Sequence, residues 1–189
     1  MTRLTTTYPG LKECSAAVHA LLDGRQTVLL RKGGIREKRF SVPASTSRFL
    51  LFPTVAHSHA ERVRPEHCGL LAASESDSTP DTVVLRAGAK LVAAIEVARP
   101  DRLPEIEPLH IWTAESVRQD RLDFRPKYPL MVLLVQAYPL AQPITVIRTA
   151  DYAGCSSWVD LPVLPEWGPP VHPGGQLADI AADLTRLLA

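Results

Sequence analysis

The stretch TVVLRAGAKLVAAIEV, Thr82–Val97, decides the fold class. Read with a helical period, Val84–Val97 is one helix containing Gly88. Read with a strand period the whole stretch is two runs of β-formers, Thr82–Arg86 and Lys90–Val97, meeting at Ala87-Gly88-Ala89 as a hairpin. The hairpin is the preferred reading, because the segments around it have the same character. Thr27–Arg31 (TVLLR), Arg48–Phe52 (RFLLF), Leu130–Tyr138 (LMVLLVQAY), Ile144–Arg148 (ITVIR) and Trp158–Leu161 are short, apolar and bounded by turn residues or proline.

Proline sets these bounds. It makes up 17 of 189 residues, about 9% against a usual level of roughly 5%. Because proline breaks a helix interior, helices are expected only where it is missing. Leu11, Cys14, Val18, Leu21 and Leu22 share a helical face that Gly24 ends, and Leu177, Ile180, Ala181, Leu184, Leu187 and Leu188 share another. The expectation is one α+β domain over 1–189: a first helix at 11–23, a strand-rich body at 27–161, a proline-rich segment at 162–175 and a final helix at 176–188. The body would be a mixed sheet or small β-barrel of six to seven short strands.

Composition excludes several classes. With 46% hydrophobic residues the chain is not disordered. Its longest aliphatic run, Leu130–Val135, falls far short of the roughly 20 residues that span a bilayer. The opening MTRLTTTYPG has no apolar core of a secretory signal, and Cys14, Cys68 and Cys155 form no CxxC pair. A cytoplasmic, reduced protein without membrane, metal or cofactor is expected.

The net charge of +1 hides blocks of opposite sign. Residues 24–64 carry +7, residues 65–115 carry −5, residues 116–149 carry +3 and residues 150–189 carry −4. The densest basic run, RKGGIREKR at 31–39, sets Arg31, Lys32, Arg36, Lys38 and Arg39 around two glycines. Such a run attracts phosphate or a polyanion, although the GxxxxGK[ST] pattern of a P-loop is missing. In His110-Ile111-Trp112 with Arg118, Arg121 and Arg125-Pro126, the indole offers a face for a base and the arginines offer bidentate donors. His57, His59, His67 and Cys68 fall close together, yet the arginine- and proline-containing loop among them does not match zinc spacing, so they read as polar loop residues. Cys155 and Ser156 place a thiol and a hydroxyl before a strand, where a tight turn is the preferred reading. No acid followed by (D/E)xK, as nucleases carry, is found.

Several of these stretches together resemble one family. Lys12-Glu13, LLRKGGI (29–35) with Glu37, FLLFPT (49–54) with His57, HIW (110–112), RP (125–126) and Y-x-GCSSWV (152–159) are similar to the bacterial domain of unknown function 1802 family. Two positions depart from its pattern: Cys14 stands where members tend to carry Trp, and Ser58 where Gln commonly follows the histidine. The family has no established activity. Its association with restriction-endonuclease-like domains implies a DNA-related role, such as restriction–modification beside an endonuclease-type partner protein. A shorter similarity, a helix running into GRQTVLLR (24–31), resembles the start of ASCH and PUA-like barrels, which implies binding of RNA or a base. Leu29 replaces the acid expected in that pattern.

The leading functional expectation is a module that binds DNA or RNA. Arg31, Lys32, Arg36, Lys38 and Arg39 would contact phosphates, with Trp112 and Arg125 near a recognition pocket. The alternatives are an enzyme acting on a phosphorylated or nucleotide substrate, with Glu37, His57, His110, Cys155 and Ser156 as candidate groups, and a structural protein-interaction domain.

Overall fold

The computed structural model describes residues 6–33, 37–55 and 59–189. Six strands form one sheet in the order β2-β5-β4-β3-β1-β6: β1 Tyr8–Cys14, β2 Val28–Lys32, β3 Phe49–Thr54, β4 Thr82–Glu96, β5 Leu130–Ile147 and β6 Trp158–Leu161. Only β1 and β3 pair in parallel, and every other neighbour is antiparallel. The fold is α+β with an open, mixed sheet. No helix among the described residues is long and apolar enough to cross a membrane.

The stretch 82–97 contains no hairpin. β4 runs through Gly88 as one strand of 15 residues, and β5 likewise joins the two expected strands into one of 18. Gly88 is needed where chains approach, not where one turns: a Cβ there would meet the Trp167 ring and stand 2.5 Å from the Phe49 carbonyl oxygen. Bulges at Leu85/Ala87 and Leu91/Ala93 bend the two long strands together. β3 extends through Pro53, because β4 pairs only with Phe49 and Leu50, and beyond them a missing N–H costs no bond to β4.

The expected first helix also changes. Residues 8–14 are strand and the helix α1 spans Ser15–Leu22. Leu11 therefore pairs with Leu51 of β3 rather than lying on a helical face. Parallel pairing on one side and β6 on the other outweighs a helical period only five apolar residues deep. α1 is buried through small residues, Ser15, Ala16, Ala17 and Ala20, which let it press onto the sheet. It ends at Gly24, whose φ of 84° suits glycine.

β5 explains the continuous apolar run. Leu130, Val132 and Leu134 pack with Val28, Leu30 and Ile95 and with Leu177, Leu184 and Leu188 of α5 (Gly174–Leu188). Met131, Leu133 and Val135 pack on the other face with Leu11, Phe49 and Leu51. A strand covered on both faces has no polar side to show. Short helices α2 (His59–Arg62), α3 (Gly69–Ser74) and α4 (Ala114–Val117) lie between the strands, and a 3₁₀ segment covers Pro100–Leu109. α4 continues into a π-helical turn at Arg118–Asp123.

Candidate functional site

β1 and β2 do not pair, yet a side chain joins them. Arg31 on β2 donates from Nη1 to the Lys12 carbonyl on β1 at 3.0 Å and stands 3.3 Å from Oε2 of Glu13. The sheet thus curls towards closure and stops at a seam bridged by Arg31. At that seam lies a cavity of about 360 Å³, lined by β1, β2, Thr54, Arg62 of α2, α4 and the π turn.

The charges in it are four cations, Lys12, Arg31, Arg62 and Arg121, and two carboxylates, Glu13 and Asp120. Arg31 pairs with Glu13, and Arg62 pairs with Asp120 at 3.0 Å. Lys12 and Arg121 carry the excess positive charge. Arg121 is held below the usual arginine range, first by burial; Glu13 opposes the shift, while Arg31 adds to it as a like charge. Lys12 is lowered too, mainly by burial, and its Nζ donates to the Gly154 carbonyl at 3.0 Å. Cys14 also lines the cavity, but burial and then Glu13 push its thiol up to about 11, so it stays protonated at neutral pH. Trp112, 9% exposed, forms an apolar wall. The site can bind an anion and offer an aromatic surface beside it.

A dense set of bonds fixes that wall. Nδ1 of His110 accepts from the Trp112 N–H at 3.1 Å, and Arg64 donates to the Trp112 carbonyl at 3.1 Å. Thr113 caps α4 by accepting from the Ser116 N–H at 3.1 Å. Ser116 donates to the Arg62 carbonyl, tying α4 to α2. The π turn then re-aims Arg121 into the cavity, a use typical of such turns. Lys32 clasps its far end, donating to the carbonyls of Phe124 at 2.8 Å and Arg125 at 3.0 Å, while Arg125 donates to the Gly33 carbonyl. Arg125 itself takes a left-handed φ of 48°, a strained conformation for a non-glycine residue, just before Pro126.

The expected residues fall into three groups. Arg31 and Trp112 meet in the cavity. Lys32 and Arg125 form the clasp beside it. Lys38 and Arg39 are exposed, and Arg39 pairs with Glu96 at 3.2 Å, a contact screened by water. Arg36 and His57 lie outside the described residues. Among the described residues of the basic block 24–64, Arg25, Arg31, Arg39, Arg62 and Arg64 each pair with a carboxylate.

The candidate enzyme groups are not brought together. Glu37 accepts from the N–H and hydroxyl of Ser41. His110 is buried, and burial lowers its pKa to about 4. Ser156 donates to the Trp158 carbonyl and Cys155 is exposed in the same turn. None of these four lines the cationic cavity.

Lys12, Glu13, Arg62 and Asp120 had no assigned role in the sequence. The helical reading of 11–23 obscured Lys12 and Glu13, which lie on β1, and Arg62 and Asp120 are brought to the site only by α2 and the π turn.

The described motifs map onto a family model. A model described as a domain of unknown function, DUF1802, matches residues 10–183. The chain belongs to the DUF1802 family. The match takes in most of β1, the seam and the π turn, so the whole cavity lies inside the DUF1802 region. No curated protein matches this DUF1802 chain in sequence. Among solved structures, it is similar to a serine-to-alanine variant of ZmASCH from Zymomonas mobilis, with TM-score 0.44 and 16% identity over 72% of each chain. A tyrosine-to-phenylalanine variant of the same protein gives TM-score 0.43 and 18% identity over 72% of this chain and 73% of that one.

Proposed function

We propose that this protein is a nucleic-acid-binding module whose binding site is the cavity at the β1–β2 seam. A backbone phosphate enters among Lys12, Arg62 and Arg121, and a base rests against Trp112. The observation that carries the reading is the convergence of four cations over two carboxylates beside one indole. Burial makes such a site strong for an anion, since charges in low dielectric interact more than in water. Arg31 serves it twice, by bridging the seam and by adding charge, and Lys32 with Arg125 hold the π turn over it. Lys38 and Arg39 provide exposed charge for backbone outside the cavity.

The finer part of the proposal rests on family resemblance: action beside an endonuclease-type partner in restriction–modification, in the cytoplasm. Co-purification of such a partner from the native host tests that part separately.

The test of the main reading is fluorescence anisotropy of labelled single-stranded DNA and RNA oligonucleotides across a salt series. Binding that weakens steeply with salt is expected. Competition by free mononucleotides as effective as by the oligonucleotide would favour a nucleotide-directed enzyme instead. No binding of either strand at low salt overturns the reading.

A further inference from the structure

A second cleft, of about 230 Å³, shares Val117 with the cationic cavity but differs from it in chemistry. Its walls are mainly apolar: Leu103 and Pro104 of the 3₁₀ segment, Val117 of α4 and Leu122 of the π turn. His110 lies among them and is 3% exposed. Its Nδ1 accepts the Trp112 N–H, so on the neutral ring the proton sits on Nε2. Among the described residues this Nε2–H has no acceptor. Nε2 is not fully sealed, so an acceptor entering the cleft can reach it. In the empty cleft this N–H can bond only to water, and a ligand acceptor that takes its place gains one net hydrogen bond.

We propose that this cleft binds an apolar compound about the size of a substituted benzene, carrying one hydrogen-bond acceptor that receives the proton of His110 Nε2. The size follows from volume: an apolar cavity of roughly 150 Å³ holds benzene, and the larger cleft leaves room for a short polar substituent. The walls are preformed, because Pro100 and Pro104 fix the backbone of the 3₁₀ segment and less ordering is needed on binding. The donor persists at neutral pH, since burial holds the His110 ring neutral well above its pKa of about 4. The site assigns a role to the histidine of the HIW motif beyond supporting Trp112, and it does not depend on nucleic-acid binding.

The test uses acetophenone and ethylbenzene, which are close in shape but differ in the acceptor. Ligand-observed saturation-transfer NMR on the intact protein reads both affinities, and ¹⁵N correlation of the histidine side chains reads His110 directly. Acetophenone is expected to bind about 2- to 12-fold more tightly, the range of one net hydrogen bond, and to shift the His110 Nε2 resonance. Ala114→Trp, placed at an exposed position on the cleft, should abolish binding of both. His110→Phe should remove the preference while ethylbenzene still binds. Should His110→Phe not fold, the wild-type preference and Ala114→Trp still decide. Equal affinities in the wild type, no acetophenone binding at millimolar concentration, or binding unaffected by Ala114→Trp overturns the proposal.

Discussion

Arg121→Gln separates a binding role from a structural one. Arg31 and Arg62 are matched by Glu13 and Asp120, so Arg121 and Lys12 supply the charge available to a phosphate. A hydrogen bond to a charged group contributes about 1.5–3 kcal/mol, which corresponds to roughly a 10- to 150-fold loss of affinity. Removing one phosphate contact should also reduce the slope of log K against log salt by about 0.7 for a single strand. Stability should move the other way. Arg121 is held below its ordinary pKa by burial first, with Arg31 and Arg62 adding repulsion against the attraction of Glu13 and Asp120. A cation whose folded pKa lies below its unfolded value costs the fold stability wherever it is charged, which includes neutral pH. The neutral glutamine should therefore leave the melting temperature unchanged or raise it. Anisotropy titrations at several salt concentrations, with thermal melts of the same samples, read both quantities. Unchanged affinity and slope would refute the reasoning, as would a large fall in melting temperature.

Four further outcomes are expected. Trp112→Leu should weaken oligonucleotide binding by the roughly 1–3 kcal/mol of one stacked base while leaving the salt slope intact, seen in the same titrations. Asp77→Ala should cost about 3–5 kcal/mol in chemical denaturation, because the buried Asp77 carboxylate holds Arg86 at 2.9 Å and His19 at 2.6 Å. Gly88→Ala should lower stability by about 1–3 kcal/mol, since the Trp167 ring and the Phe49 carbonyl occupy the space for a Cβ; a melt close to wild type contradicts this packing. His110, with its pKa lowered to about 4 by burial, gives a pH test. The unfolded ring takes up a proton near its ordinary 6.5, before the folded ring does. Stability should then fall as pH drops from 6.5 towards 4, by up to about 1.4 kcal/mol per unit from this group. His110→Phe should flatten that slope even though it loses the bond to Trp112.

The strand-rich body was legible because each segment of β-formers is a strand or part of one. The joins were not. Gly88 reads as a turn because glycine permits one, and only the Trp167 ring, 79 residues along, reveals that it serves close packing. Pro139 reads as a break within 130–147, yet β5 passes through it. Residues 11–14 were lost to a helical period, since their parallel partner, β3, lies some 40 residues away and leaves no local trace. The site was half legible for the same reason. Trp112, Arg121 and Arg31 stood out by chemistry, but their convergence depends on the curl of the sheet and the π turn. Local charge density misled as well: four arginines of the basic block pair with acids distant in sequence, such as Arg62 with Asp120.

The central claim is that the seam cavity, rather than the exposed basic run, binds nucleic acid. It is tested most directly by two variants that each remove two positive charges, Lys12→Gln/Arg121→Gln in the cavity and Lys38→Gln/Arg39→Gln on the surface. Their affinities for one labelled oligonucleotide are compared at the same salt concentration. The account predicts at least a tenfold loss for the cavity pair and no more than a few-fold loss for the surface pair. Equal losses, or a larger loss for Lys38→Gln/Arg39→Gln, would contradict it.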